Sequence, residues 1–410
     1  MIWINSDTNG TMIPQRRHYG LDWLRIGAFG LLIVYHVAMV FSTWDWVIKS
    51  PVTYHELTAP MALLTPWRLP LLFAVSGYAS RKLFDKTRDV RAFTDSRNRR
   101  LLIPWGFAMV ALIPPEMWVR AREQGYPGSL LHFWLTDYWS VTPVYGHGFP
   151  NWEHLWFVAY LWAYTMALAA LLLAPGWNAE RLTRILDRLA PGARLLWVPI
   201  AVLVLLKFSV MFVLSEKQGL FTDWNAHFAY CPIFLFGFAL AGESKLWPTI
   251  ARLQWPAAAV ALAAGVTVVC IELAYEGHNV PPHLIMMLDR AARLAMGWSM
   301  ILVLFQFASR YLDHDHKWRA TLAEAVFPLY IAHHPAIILI AWYTLPLNLN
   351  PFVEFALILT GTFGFAVSFY LIGREIDWLR PLIGLGPVPR YRADRDCPQE
   401  PADEERSAVA

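Results

Sequence analysis

The chain has 410 residues, 57% of them hydrophobic and 16% charged, with a formal net charge of +3. A soluble domain usually carries about a quarter charged residues and needs a charged surface, so a soluble enzyme with one membrane anchor is excluded, as is a disordered chain. The apolar residues fall in blocks of about 20 rather than alternating with period two, which excludes a β-barrel and predicts an all-α polytopic membrane protein.

Residues 1–20 are polar, include Arg16 and Arg17, and are expected to form a cytoplasmic segment. The first apolar block, 21–43, has no small-residue cleavage site and reads as a retained span, not a signal peptide. Further blocks at 59–80, 101–119, 154–174, 194–214, 226–241, 253–275, 284–309, 321–343 and 352–373 bring the expected number of transmembrane helices to about ten. They form one membrane domain over 21–385, and the Pro-, Arg- and acid-rich residues 386–410 are expected to be a disordered cytoplasmic tail. Cys231, Cys270 and Cys397 make no disulfide framework.

The basic residues fix an orientation. With the N-terminus inside and sides alternating, 25 of the 34 Lys and Arg fall in inner segments, 4 in outer segments and 5 within spans. This asymmetry predicts both termini in the cytoplasm. The segment 81–100 reads as a basic inner loop, with anionic lipid or phosphates as its partners. The aromatic- and Pro-rich outer segment 120–153 is expected to fold over an outward-facing cleft.

The basic residues within spans are Arg25, Arg68, Lys207, Arg290 and Arg293. Each is costly near a bilayer centre, about 2.5–3.5 kcal/mol on insertion scales. Arg25 and His36 are 11 residues apart, a separation of about 16 Å along one helix face that they share with Asp22. Asp289, Arg290 and Arg293 belong to the outer turns of their span, and His333 and His334 lie just past the middle of theirs. A shared polar cavity is the economical account of these groups. The structural alternatives stand beside it: positive-inside anchoring for Arg25, an ion pair four residues apart for Asp289 and Arg293, a helix-to-helix hydrogen bond for Lys207, and structural histidines. His314-Asp315-His316 reads as a solvated loop. No Gly-rich phosphate loop, G-x-S-x-G or H-E-x-x-H motif is present.

Five segments in order resemble the membrane acyltransferase-3 family. They are Leu21-Asp22-Trp23-Leu24-Arg25 with Tyr35-His36, Phe73 to Tyr78, Arg97-x-x-Arg100 before Pro104, His154-Leu155-Trp156-Phe157, and Pro328 to Pro335. The His333-His334-Pro335 ending, and Pro232, Phe234 and Gly237, are most similar to the branch that succinylates periplasmic glucans. Pro70-Leu71-Leu72 departs from the Phe-richer family pattern, which loosens inference about the pocket. The resemblance implies a multi-pass enzyme of the bacterial inner (plasma) membrane. It would move an acyl group, succinyl or acetyl, from cytoplasmic acyl-CoA to a hydroxyl of an extracytoplasmic glycan, as an acyltransferase for groups other than amino-acyl groups. It implies His36, Arg25 and Arg68 as catalytic, Arg97 and Arg100 as binding acyl-CoA, and Asp22, His154, Lys207, Asp289, Arg293, His333 and His334 as substrate-binding or supporting residues.

The chemistry needs a base near neutral pKa and a cation at the developing oxyanion. His36 suits the first role, and Arg68 or Lys207 the second. A succinyl carboxylate would call for one more cation, for which Lys207, Arg290 and Arg293 are available. No permanently bound cofactor, metal or nucleic acid is expected. The partners are the bilayer, acyl-CoA and a glycan held by the membrane domain or its outer loops, since no fused hydrolase-like domain is expected after the last span; a homo-oligomer stays open. The alternative from another class is a proton-coupled solute transporter or flippase, which intramembrane charges would also suit.

Overall fold

The computed structural model describes residues 18–140, 150–214, 218–242, 244–277 and 279–387, and the backbone of two short antiparallel strands, β1 (Ile4–Ser6) and β2 (Met12–Pro14). The expected tail lies outside the described residues from 388 onward, as do Arg16, Arg17 and residues 141–149 of the outer segment.

Apart from that hairpin the described chain is helical. The helices are α1 (Tyr19–Phe41), α2 (Thr58–Thr87), α3 (Val90–Ala111), α4 (Ile113–Glu123), α5 (Leu130–Leu135), α6 (Trp156–Leu173) and α7 (Ala179–Asp187). They continue as α8 (Arg194–Val210), α9 (Trp224–Leu240), α10 (Leu246–Arg252), α11 (Gln254–Ala274), α12 (His283–Phe307), α13 (Arg319–Thr344) and α14 (Pro351–Glu375). Each apolar block of the sequence is helical, the third being split between α3 and α4. Seven of these helices are long and apolar enough to cross a membrane, or eight if α3 and α4, bent by 42° at Leu112, count as one broken span. The expected number was ten. The difference is α8 and α9, each 17 residues, or about 25 Å at 1.5 Å per residue against a hydrocarbon layer of about 30 Å.

Two further expectations change. The third block is not one straight helix: Pro114 and Pro115 start a new helix, α4, directly after the break, as proline's fixed φ favours. The basic stretch 81–100 is not a loop, because α2 runs on to Thr87 and α3 begins at Val90. Arg88 turns the chain with φ 50°, and the Asp89 carboxylate accepts the free amides of Arg91 and Ala92. Hydropathy marks where a helix leaves lipid, and Lys, Arg and Glu are good helix formers beyond that point.

The bundle has a protein-facing centre and a lipid-facing rim. In α13, 72% of the most apolar stretch is buried within the protein, against 22% in α14 and 28% in α11. α13 packs on α1, α4 and α14, and α2 packs on α9, α11 and α12. The α2–α9 crossing is set by two glycines. A Cβ at Gly77 would lie 2.0 Å from the Phe234 carbonyl oxygen, and one at Gly237 would lie 1.9 Å from that of Ala74. The two backbones therefore touch, and small residues supply the packing that drives helix association in lipid. The Gly77 and Gly237 of the sequence motifs are the two sides of one contact.

Because the obstacle is backbone, a larger residue must push the helices apart. Gly77→Val or Gly237→Val is expected to cost at least the roughly 1–3 kcal/mol of ordinary overpacking. The purified protein should melt several degrees lower in detergent, whereas Gly27→Val, with nothing within 4 Å of its Cβ, should melt like the parent.

Candidate active site

α1 and α13 lie side by side and run parallel, in a register read from two contacts. Arg25 Nη2 donates to the Ala323 carbonyl at 2.9 Å, and one end further on His36 Nδ1 lies 3.0 Å from His333 Nε2. Eleven residues of α1 thus match ten of α13. At the start of the pair Asp22 accepts from Arg319 Nη1 at 2.7 Å, and Arg319 is buried over the Tyr19 ring. Arg319 carried no expected role; a cation at a span boundary looks in the sequence like any positive-inside residue.

The histidine pair has defined proton positions. His333 Nδ1 lies 2.5 Å from the Tyr330 carbonyl, which can only accept, so Nδ1 carries the proton. In neutral His333 the Nε2 is then the acceptor, and His36 Nδ1 donates to it. This leaves the lone pair of His36 on Nε2. The assignment follows from the partners each nitrogen has. His333 is fully buried, while His36 is half-buried and so the more accessible of the two.

A cation sits beside this pair. Arg68 is 3% exposed and lies over the Tyr35 ring, 3.5 Å from its centroid. It is close enough to act electrostatically on both His36 and His333. Its Nε and Nη1 are buried without a hydrogen-bond partner, so these donors remain available for an oxyanion.

A second group of histidines adjoins the first. His154 stacks on His334 with centroids 4.7 Å apart and meets His333 edge-on at 5.2 Å, and His334 Nδ1 is 2.9 Å from Glu116 Oε1. Beyond the C-terminal end of α1 the α1–α2 connection closes over the site. Trp46 stacks on His36 and meets His334 edge-on. Lys49 pins this connection by donating to the carbonyls of Met39, Ser42 and Trp44. Burial lowers its ammonium to about 8, against the pull of Asp45, so at neutral pH it still has three N–H groups for three acceptors.

About 16 Å back along α1, Arg25, Arg97 and Arg100 come within electrostatic reach of one another. Arg97 Nη2 donates to Ser80 Oγ at 2.8 Å, and Arg100 is exposed. The structure therefore gathers the expected residues into two groups, one of imidazoles with Arg68 and one of the guanidiniums Arg25, Arg97 and Arg100. Three of the expected residues belong to neither. Lys207 Nζ donates to Asn225 Oδ1 at 2.8 Å, from α8 to α9. Arg293 Nε binds both Asp289 oxygens at 2.9 and 2.8 Å and its Nη2 pairs with Glu272, joining α12 to α11. Glu116 and Tyr330, like Arg319, are site residues with no expected role. Glu116 follows two prolines at what looks like the end of a span, and Tyr330 acts through its carbonyl.

A family model described as an acyltransferase domain, Acyl_transf_3, matches residues 18–371. The chain belongs to the acyltransferase-3 family. Among curated proteins it is similar to Glucans biosynthesis protein C of Escherichia coli strain K12, 24% identical over 402 residues, covering 93% of this chain and 98% of that protein. The counterpart from E. coli O139:H28 is 23% identical over 404 residues, with 93% and 98% covered. No solved structure gives a significant match. This is a multi-pass membrane acyltransferase, and the site described lies within its matched domain.

If His333 sets the tautomer of His36, His333→Ala should lower kcat by about 100-fold or more, within the range that a general base contributes, with KM for the acyl donor little changed. His333→Gln, whose amide can accept from His36 and donate to the Tyr330 carbonyl, should recover part of that loss. Equal loss in both variants would mean that His333 only fills space.

Proposed function

We propose that this acyltransferase moves a short acyl group, succinyl or acetyl, from cytoplasmic acyl-CoA to a hydroxyl of an extracytoplasmic glycan. The observation that carries the reading is the ordered pair His36–His333, which presents a lone pair on a half-buried imidazole next to an arginine whose Nε and Nη1 have no hydrogen-bond partner among the described residues. The names of the curated relatives refer to glucan biosynthesis, and this supports a glucan-like acceptor. The cytoplasmic orientation of the termini and ten crossings, counting α8 and α9, belong to the same proposal. The parallel run of α1 and α13, the first and ninth apolar blocks, fits alternating crossings.

The thioester is already activated, and the sugar hydroxyl is a poor nucleophile. His36 Nε2 takes the hydroxyl proton as the oxygen attacks the thioester carbonyl. The tetrahedral oxyanion forms beside Arg68. When it collapses, the C–S bond breaks and the CoA sulfur takes the proton from His36, which restores the starting tautomer. Arg25, Arg97 and Arg100 hold the CoA phosphates, since a cluster of guanidiniums suits bidentate phosphate contacts. The pantetheine arm spans the distance between the clusters. Lys207, Asp289 and Arg293 have partners of their own and take no step; they hold α8 to α9 and α11 to α12.

In membranes supplied with labelled acyl-CoA, His36→Ala should abolish transfer to envelope glycans. Arg97→Ala together with Arg100→Ala should raise KM for acyl-CoA at least 10-fold with a smaller change in kcat. Mass spectrometry of envelope glycans with and without the protein should show a succinyl or acetyl increment. Transfer that survives His36→Ala would sink the mechanism.

A further inference from the structure

Glu116, His154 and His334 come from three separate parts of the chain, α4, the turn before α6, and the middle of α13. All three are buried, and one ligand-type atom from each lies within 4.8 Å of the others. An ion bound at about 2.0–2.2 Å separates its ligands by up to about 4 Å, so small side-chain movements would close the set.

The individual groups are hard to explain otherwise. Glu116 is 0% exposed, and neither of its oxygens has a hydrogen-bond partner of normal geometry. Arg120, one turn along the same helix, is committed to Glu153 at 3.0 Å. An isolated buried carboxylate is expensive. A simple ion pair with His334 would account for two of the three residues. It leaves His154, whose two ring nitrogens are both buried without a partner of normal geometry. A buried imidazole usually spends at least one nitrogen on a hydrogen bond.

The surroundings also aim His154 at this point. Glu153, the residue before it, holds φ 38°, a left-handed conformation that costs a non-glycine residue about 1 kcal/mol or more. Asn151 and Arg120 hold the Glu153 side chain, and the Tyr330 hydroxyl donates to the His154 carbonyl. Backbone strain and three supporting contacts thus fix this imidazole against His334 and within reach of Glu116.

We infer that Glu116, His154 and His334 bind one divalent first-row transition-metal ion. Two imidazoles and a carboxylate suit Zn2+ and its neighbours, not Mg2+ or Ca2+, which take oxygen ligands. Three protein ligands leave a coordination position for water. The His334 ring is 5.2 Å from that of His36, so the ion adjoins the catalytic pair without replacing it. This sets aside the expectation of a metal-free protein. The three residues share no local motif, and their spacing of 38 and 180 positions is invisible to a scan for paired ligands.

The full-length protein, purified in detergent without chelator, should carry close to one equivalent of zinc or a neighbouring metal by elemental analysis. After stripping, it should take up about one equivalent of added Zn2+. Glu116→Gln, His154→Ala and His334→Ala should each lower uptake at least 10-fold, while His36→Ala and Lys207→Met should bind like the parent. X-ray absorption at the zinc edge of the parent protein covers the case in which a ligand variant does not fold, and should show two imidazoles and oxygen. No stoichiometric uptake by the stripped parent, unchanged uptake in the folded ligand variants, or a sulfur or all-oxygen shell would overturn the site. The readout is bound metal, not acyl transfer, so this test and that of the catalytic reading fail separately.

Discussion

The parallel register of α1 against α13 is the constraint on which the site depends. It is held at both ends by charged or polar contacts, Asp22–Arg319 and Arg25–Ala323 at one and His36–His333 at the other. A slip of one residue would turn each side chain on α1 by about 100° and break all of them together. In lipid, where apolar burial between helices supplies little net drive, such polar contacts and close packing decide the register. The long run of Leu, Ile and Val on α1 keeps the helix in the membrane, and a few polar atoms decide how it faces its neighbour.

The same economy explains Arg68. A guanidinium within the bundle is costly, and among the described residues no carboxylate forms an ion pair with it. Its compensation is the Tyr35 ring, from the same α1 that carries His36. A carboxylate partner would stabilise the folded protein more, but it would compete with any oxyanion for the same donors. An aromatic face tolerates the cation and leaves two of its nitrogens uncommitted. The tight α2–α9 crossing at Gly77 and Gly237 then gives α2 a rigid neighbour, which keeps a long flexible side chain on a fixed backbone.

Much of this was legible in the sequence because a membrane exposes its own exceptions. The apolar blocks located the helices, and the few polar residues within them located His36, Arg68, His154, His333 and His334. What could not be read was which polar residue met which. Lys207, Asp289 and Arg293 carry the same signal as Arg68, a charge inside a span, yet they satisfy one another or Asn225 and Glu272. Pairing across helices has no local pattern. Hydropathy also says where lipid ends and not where a helix ends, so the extensions of α2 and α3 were hidden. Glu116 lay beyond a proline break, where a carboxylate reads as the polar end of a span.

The adjacent histidines on α13 show how far a short motif can carry two tasks. Neighbouring residues on a helix point about 100° apart, so His333 faces α1 and His36, while His334 faces α4 and Glu116. A single histidine could not reach both. His333 spends its two nitrogens on the Tyr330 carbonyl and His36, and has none left for an ion. His334 turns Nδ1 to Glu116 and stacks face to face on His154. The chain therefore needs both imidazoles in sequence, one to fix a proton and one to present a lone pair. Pro335, which follows them, lacks the N–H that the Ile331 carbonyl would accept, so α13 has a weak point at the turn carrying the pair.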